Sequence, residues 1–244
     1  HRDLHAANDL KATHHITYHL NDVNADVYAT NLKVENGTYL FDVVVKDWLL
    51  KDVRLNIGGL HNIENALAAI AVAHILKIDD VKIREAVAAF KGVKRRFEYV
   101  IAPGESDVVM IDDYAHHPEE LRSLITGARS LFDNRKFVLV FQPHLFTRTR
   151  DLADGFAEVL DTADEVILLP IYPARELPIE GVSSEMILDR MKLKDKQVMS
   201  KEQLKSSLQK LVGDSTNKGG VVFITAGAGD IDAMLNELKE LILK

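Results

Sequence analysis

The 244-residue sequence predicts an α/β fold whose larger part is built on a mostly parallel sheet, and three observations predict it. Strand-like apolar runs recur at 108–111, 137–142, 165–171, 196–199 and 221–226. A helical pattern follows each run, near 118–131, 151–162, 184–192, 201–212 and 231–243. Strict strand–helix alternation calls for a parallel sheet with helices on both faces. The first 60 residues differ in texture, being a series of short β elements.

Residues 26–30 and 38–45 are rich in strand-forming side chains, and Glu35-Asn36-Gly37 between them is a turn signal. Residues 53–57 alternate apolar and polar with period two, as a half-buried strand does. Gly58-Gly59 breaks the chain. From His61 to Leu76 the sequence is alanine-rich and apolar nearly all round, which predicts a buried helix. A second helix over about 83–90 leads to Lys91-Gly92-Val93-Lys94-Arg95-Arg96-Phe97. The change of texture there puts a domain boundary near 94–98, dividing the chain into 1–95 and 96–244. In the second part Ser183 and Asp230 are the expected N-caps of the third and last helices. Lys218-Gly219-Gly220 reads as a loop.

The bulk numbers exclude several classes. Thirty basic residues against 37 acidic ones leave a net charge of −7, which argues against a general nucleic-acid binder. There is no cysteine, so disulfides, thiolate zinc sites and cysteine nucleophiles are excluded. No apolar run is long enough to span a bilayer, so no membrane partner is expected. The polar start His1-Arg2-Asp3-Leu4-His5 has no initiator methionine and reads as internal to a longer product. Histidines 1, 5, 14, 15 and 19 lack carboxylates at metal-ligand spacing and read as surface residues.

Four clusters could carry chemistry. Gly58-Gly59 before a helix lets backbone approach a ligand closely, and Asn62 and Asn65 share a face of the first turn. A side-chain amide offers both donor and acceptor, which suits an adenine edge; against this, one asparagine could simply cap the helix. Arg95-Arg96 at the domain junction suits a phosphate, or is an ordinary solvated pair. Asp112-Asp113-Tyr114-Ala115-His116-His117 follows a strand and precedes the helix opened by Pro118. At such a corner an aspartate can accept ribose hydroxyls, a tyrosine can stack on a base and a histidine can bind an anion or shuttle a proton. Finally, Phe141-Gln142-Pro143-His144-Leu145-Phe146-Thr147-Arg148-Thr149-Arg150-Asp151 brings a histidine and arginines to the same carboxyl-end rim. His144 and Arg148 suit a carboxylate or phosphate, while Arg150 and Asp151 read as a local ion pair. Ala226-Gly227-Ala228-Gly229-Asp230 lacks the third glycine of a dinucleotide fingerprint and reads as a tight turn.

Together these motifs resemble the Mur ligase family, through Gly-x-His-Asn-x-x-Asn-Ala-Leu-Ala-Ala-Ile-Ala-Val-Ala at 59–73, Gly-Val-Lys-Arg-Arg-Phe at 92–97, Asp-Asp-Tyr-Ala-His-His-Pro at 112–118, Phe-Gln-Pro-His at 141–144 and Thr-Arg-Thr-Arg-Asp-Leu at 147–152. Within the family they are most like members that add a single L-alanine to UDP-N-acetylmuramate. The resemblance implies that 1–95 is the latter part of a central ATPase domain and 96–244 a Rossmann-like C-terminal domain. It implies ATP and Mg2+, with the metal ligands upstream, and a cytoplasmic enzyme of peptidoglycan precursor synthesis. It places His61, Asn62 and Asn65 at the adenine, Arg96 at the phosphates, and Asp113 with Tyr114 at the ribose and base. His116, His144 and Arg148 would face the amino acid and the acyl-phosphate. Two departures stand out: the family's Gly-Lys-Thr phosphate loop is absent, and Leu145 stands where many relatives carry arginine. A tripeptide-recycling ligase, a metal-dependent phosphoesterase using Asp112, Asp113, His116 and His117, and a non-catalytic nucleotide-binding module are the rival readings.

Overall fold

The computed structural model of the chain describes residues 15–213 and 219–244. The chain divides into two compact units, the described parts of 1–32, 40–54 and 60–88 in one, and of 33–39, 55–59 and 89–244 in the other. Histidines 1, 5 and 14 and Lys218 lie outside the described residues; His15 and His19 are exposed.

A four-stranded sheet has the order β1 (Tyr18–His19), β2 (Val27–Glu35), β3 (Thr38–Val45), β4 (Trp48–Leu55). Asn36 and Gly37 form the β2–β3 turn with φ of 49° and 75°, the left-handed pair that a two-residue hairpin loop demands. β4 begins at Trp48, five residues before the alternating pattern starts at Val53. Two helices follow, α1 (Leu60–Ile75) and α2 (Asp80–Ala89), the second capped by Asp79, whose Oδ1 accepts the Val81 N–H at 2.9 Å. Although α1 is apolar nearly all round, it is not buried all round. Ile63, Leu67, Ile70 and Ala71 are buried, whereas Val72, Ile75 and Leu76 are 55–67% exposed. Among the described residues of its unit nothing covers that second face, so composition alone overstated the helix's burial.

The second unit holds a six-stranded sheet of order β5-β6-β10-β7-β8-β9. The strands are β5 (Glu98–Ile101), β6 (Val108–Asp113), β7 (Lys136–Phe141), β8 (Glu165–Leu168), β9 (Lys196–Val198) and β10 (Val221–Ala226). All neighbours are parallel except β5, an antiparallel edge strand that the sequence pattern did not announce. The central strands are buried on both faces and read as continuous apolar runs, as covered parallel sheets require. On one face Met110, Val138, Val140, Ile167 and Phe223 pack with α6 (Lys201–Gly213), the 3-10 turn Ile231–Met234 and α7 (Leu235–Ile242). On the other lie α3 (Pro118–Leu131) and α4 (Phe146–Leu160), with Arg129 over the Phe137 ring and Phe141 against Phe156 at 5.2 Å.

Three helix starts differ from expectation. α4 begins at Phe146, not near 151, so Thr147, Arg148 and Arg150 ride its first turns. Ser183 precedes α5 (Ser184–Leu188) without a side-chain capping bond, and it is Ser184 that is anchored, donating to the Leu169 carbonyl at 2.6 Å. Asp230 makes no capping bond either, because its carboxylate is taken by Gln142 Nε2 at 2.9 Å and Lys201 Nζ at 2.6 Å.

Candidate active site

Asp113, Phe141 and Ala226 end β6, β7 and β10, and Ala226 is in register with both of the others. The loops after these strands therefore leave the sheet side by side. Because β10 lies between β6 and β7, connections diverge to either side here, the arrangement at which open α/β sheets bind ligands.

The β6 corner is held by its own aspartates. Asp113 accepts the Phe97 N–H at 2.8 Å and the Ala115 N–H at 2.7 Å, which fixes the turn and aims Tyr114 outward. Burial pushes the Asp113 carboxyl up, and those two amides and Arg96 oppose the rise. Asp112 is fully buried; it accepts Thr225 Oγ1 at 2.6 Å and pairs with Arg95 Nε at 3.1 Å. Burial raises its pKa too, against Thr225 and Arg95. The Arg95-Arg96 pair is thus split in role: Arg95 is turned into the protein, and exposed Arg96 lies 5.6 Å from the Tyr114 ring centroid.

From Tyr114 a row of rings runs along the rim. His116 meets Tyr114 edge-on at 5.2 Å, His144 lies 6.2 Å from His116, and Tyr172 stacks on His144 at 5.8 Å. Hydrogen bonds set the tautomers. His116 Nδ1 is 2.9 Å from the Tyr114 carbonyl, which can only accept, so Nδ1 carries the proton and a neutral His116 keeps a free lone pair on Nε2. His144 Nδ1 lies 3.2 Å from Arg148 Nη1, which can only donate, so neutral His144 carries its proton on Nε2. Burial, then the Arg148 cation and His116, hold the His144 pKa below its usual range. The rim therefore presents one imidazole as acceptor, one as donor, and a fixed guanidinium. His117 is exposed at the α3 N-cap position and outside this row.

Leu145, at the start of α4, has φ 72° and ψ 135°, a conformation strained for leucine. It is locked there: its N–H donates to the Tyr172 carbonyl at 3.0 Å, and its own carbonyl accepts the Thr149 N–H and hydroxyl. Glu176 closes the helix start, accepting the Thr147 N–H at 3.0 Å and hydroxyl at 2.5 Å, which lowers its pKa. Tyr172 and Glu176 belong to a loop without a motif, and sequence reasoning missed both. Gln142, in the 141–144 motif but given no role from sequence, is buried, with Nε2 on Asp230 and Oε1 without a partner among the described residues. Arg150 and Asp151 form the exposed local pair expected of them, at 2.8 Å.

His61, Asn62 and Asn65 stand in the first unit, on the first turns of α1. Asn65 Nδ2 donates to Asn62 Oδ1 at 3.4 Å, so the two share a face, and both lie inside the helix instead of capping it. The space above Gly58 is filled: a Cβ there would lie 2.1 Å from the Phe97 ring, so this glycine admits the chain's own phenylalanine.

Comparison with known proteins decides the family. The Mur ligase glutamate ligase domain matches residues 95–229, more than half of the chain, and the Mur ligase middle domain matches 2–73. The chain belongs to the Mur ligase family. It is 43% identical over 222 residues to the UDP-N-acetylmuramate–L-alanine ligase of Flavobacterium johnsoniae, covering 90% of this chain and 47% of that protein. With the ligase of the same name from Flavobacterium psychrophilum it shares 44% over 225 residues, 92% of this chain and 48% of that one. The crystal structure of UDP-N-acetylmuramate–alanine ligase MurC from Thermotoga maritima superposes with a TM-score of 0.69 at 30% identity, over 92% of this chain and 47% of that chain. This Mur ligase chain thus spans about half the length of the curated relatives it matches. The mixed α/β architecture with a parallel-rich second sheet is the Mur ligase fold that the motifs implied.

Proposed function

We propose that the chain is the latter part of the middle domain and the whole C-terminal domain of an ATP-dependent ligase that joins L-alanine to UDP-N-acetylmuramate, with the boundary between 95 and 96. The reading is carried by the row His116, His144 and Arg148 at one rim, with an acceptor, a donor and a cation within about one small molecule's reach. The names of its relatives point the same way.

In this reading Arg148 and the Nε2–H of His144 hold the amino acid's carboxylate and the oxygen that gains charge as the amine attacks the acyl-phosphate. The lone pair of His116 Nε2 receives the proton the amine releases. Tyr114 offers its ring to the base, Asp113 its remaining lone pairs to the ribose and Arg96 its charge to the phosphates; the assignment of His61, Asn62 and Asn65 to the adenine rests on the family resemblance alone. The nucleotide supplies the phosphoryl group that activates the lactyl carboxylate, and the half-buried Tyr114 ring beside the exposed Arg96 cation fits such a ligand. Among the described residues no group of three His, Asp or Glu is placed to hold a metal ion, so Mg2+ is assigned to no residue here. The engagement of Asp112 and Asp113 with Arg95, Thr225 and backbone amides disfavours the phosphoesterase reading.

No Gly-Lys-Thr loop is present, so the chain alone is expected not to turn over ATP. Phosphate release by the purified chain with UDP-N-acetylmuramate, L-alanine and ATP would overturn that. For the ligase containing this chain, alanine-dependent phosphate release supports the reading; release with the tripeptide but not alanine would favour the recycling ligase, and binding without any turnover the non-catalytic module. A cytoplasmic location follows from the proposed substrates, and no helix described is long and apolar enough to cross a membrane.

A further inference from the structure

Arg95 is bonded to three chain segments at once. Its Nε reaches Asp112 at the end of β6 at 3.1 Å; its Nη2 donates to the Gly227 carbonyl at 2.6 Å and its Nη1 to the Gly229 carbonyl at 3.4 Å, both in the loop after β10. Nη1 also lies 3.4 Å from Asp232 in the 3-10 turn. Its backbone joins in: the carbonyl accepts the Tyr114 N–H at 2.8 Å, and the N–H donates to Glu98 Oε2 at 2.8 Å. The guanidinium carbon stands 5.2 Å from the centroid of the Tyr114 ring. Its side chain is only 13% exposed, so this cation is spent inside the protein.

Arg95 also sits at φ 60° and Phe97 at 49°, backbone conformations that non-glycine residues adopt only when their surroundings over-determine them. The strained turn, the inward-turned cation and the Tyr114 amide all converge on the corner from which Tyr114 projects. From this convergence we propose that Arg95 is the positioning residue of the nucleotide face. It holds the β6 corner and the Gly227–Gly229 loop in fixed relation, so that Tyr114 and Arg96 are presented together. The inference rests on the nucleotide reading above for what Tyr114 binds, not for what holds it.

Only a planar fork can serve carboxylate and carbonyls in several directions at once. A lysine would keep the charge near Asp112 and lose the two loop carbonyls. Removing the cation altogether leaves the buried Asp112 without its counter-charge, with only the Thr225 hydroxyl still on it, which is destabilising for a reason unrelated to positioning. Replacing Asp112 by asparagine as well removes that charge.

The test uses the whole chain, unsubstituted and as Arg95→Lys, Arg95→Ala and Arg95→Ala/Asp112→Asn. It measures ADP affinity by calorimetry and amide hydrogen exchange by residue. Arg95→Ala is expected to lose protection throughout the second unit. The double variant is expected to recover β10 core protection to within about threefold of the unsubstituted chain. Its amides at 114 and 227–229 are nonetheless expected to exchange at least tenfold faster, and ADP to bind at least tenfold more weakly, with Arg95→Lys showing the same pattern. The proposal is overturned if the double variant regains rim protection together with the core, which would make Arg95 a stabilising residue only. If the unsubstituted chain fails to bind ADP, the nucleotide reading falls, and rim exchange in the double variant still decides the role of Arg95.

Discussion

His144 and Tyr172 stack with their ring planes 15° apart, although 28 residues of chain separate them. The pairing is made by backbone: the Tyr172 N–H donates to the Pro143 carbonyl at 2.8 Å and the Leu145 N–H to the Tyr172 carbonyl at 3.0 Å, bracketing His144. A loop after β8 thereby becomes a wall of the site that β6 and β7 open.

That wall and Arg148 together keep His144 neutral. Its folded pKa lies below the ordinary 6.5 because of burial, then Arg148 and His116. In the window between the folded value and 6.5 the unfolded chain binds more protons, so stability from this group is full above 6.5 and is lost as pH falls through the window. Arg148→Gln is expected to raise the His144 midpoint in an NMR titration of the chain; an unchanged midpoint would show that Arg148 does not act on it.

Leu145 stores strain at the entry to α4. Such a backbone costs about 1–3 kcal/mol in a non-glycine residue and almost nothing in glycine. Leu145→Gly is expected to be more stable than Leu145→Val by at least about 1 kcal/mol in urea unfolding, since both lose leucine contacts but only valine keeps the strain. Equal stabilities would remove strain from the account of this corner.

Gly58 exists for Phe97. A Cβ 2.1 Å from the ring cannot be accommodated without displacement, so Gly58→Ala is expected to destabilise by about 1–3 kcal/mol, as overpacking does. Phe97→Leu frees the same space. The double variant should therefore be less destabilised than the sum of the two single ones, and strict additivity would contradict the contact.

The two faces of α1 should respond unequally. Ile70→Ala removes a fully packed side chain and is expected to cost about 2–5 kcal/mol. Ile75→Ala, on a side chain 56% exposed, is expected to stay within about 0.5 kcal/mol of the unsubstituted chain. A comparable loss at both positions, measured by urea unfolding, would mean that the second face is covered in solution.

Ser183 and Asp230 mark the limit of local reasoning. Each is a residue type that caps helices, and each stands at a helix start, yet neither caps. Asp230 is claimed by Gln142, 88 residues away, and by Lys201; burial pushes its carboxyl up, but these partners hold it below the ordinary range. The start of α4 was misplaced for a related reason. Thr147-Arg148-Thr149 carries weak helix signals, and the helix starts there because Glu176 and the Tyr172 carbonyl satisfy its first turn from outside. Edge strand β5 escaped notice because four residues, Glu98–Ile101, leave too short a pattern.

Local pattern suffices for the parallel-sheet class, the order of strands and helices after residue 108, and the clusters at Asp112–His117 and His144–Arg148. Each of these is written in local periodicity or in adjacent residues, which the chain cannot separate. Tertiary structure alone decided that β10 would slip between β6 and β7 and bring those clusters to one rim. It also decided which of two adjacent arginines turns inward, which nitrogen of each histidine holds the proton, and that Tyr172 would complete the row. These depend on contacts between residues distant in sequence, where burial and competition for hydrogen-bond partners, and not residue type, set the outcome.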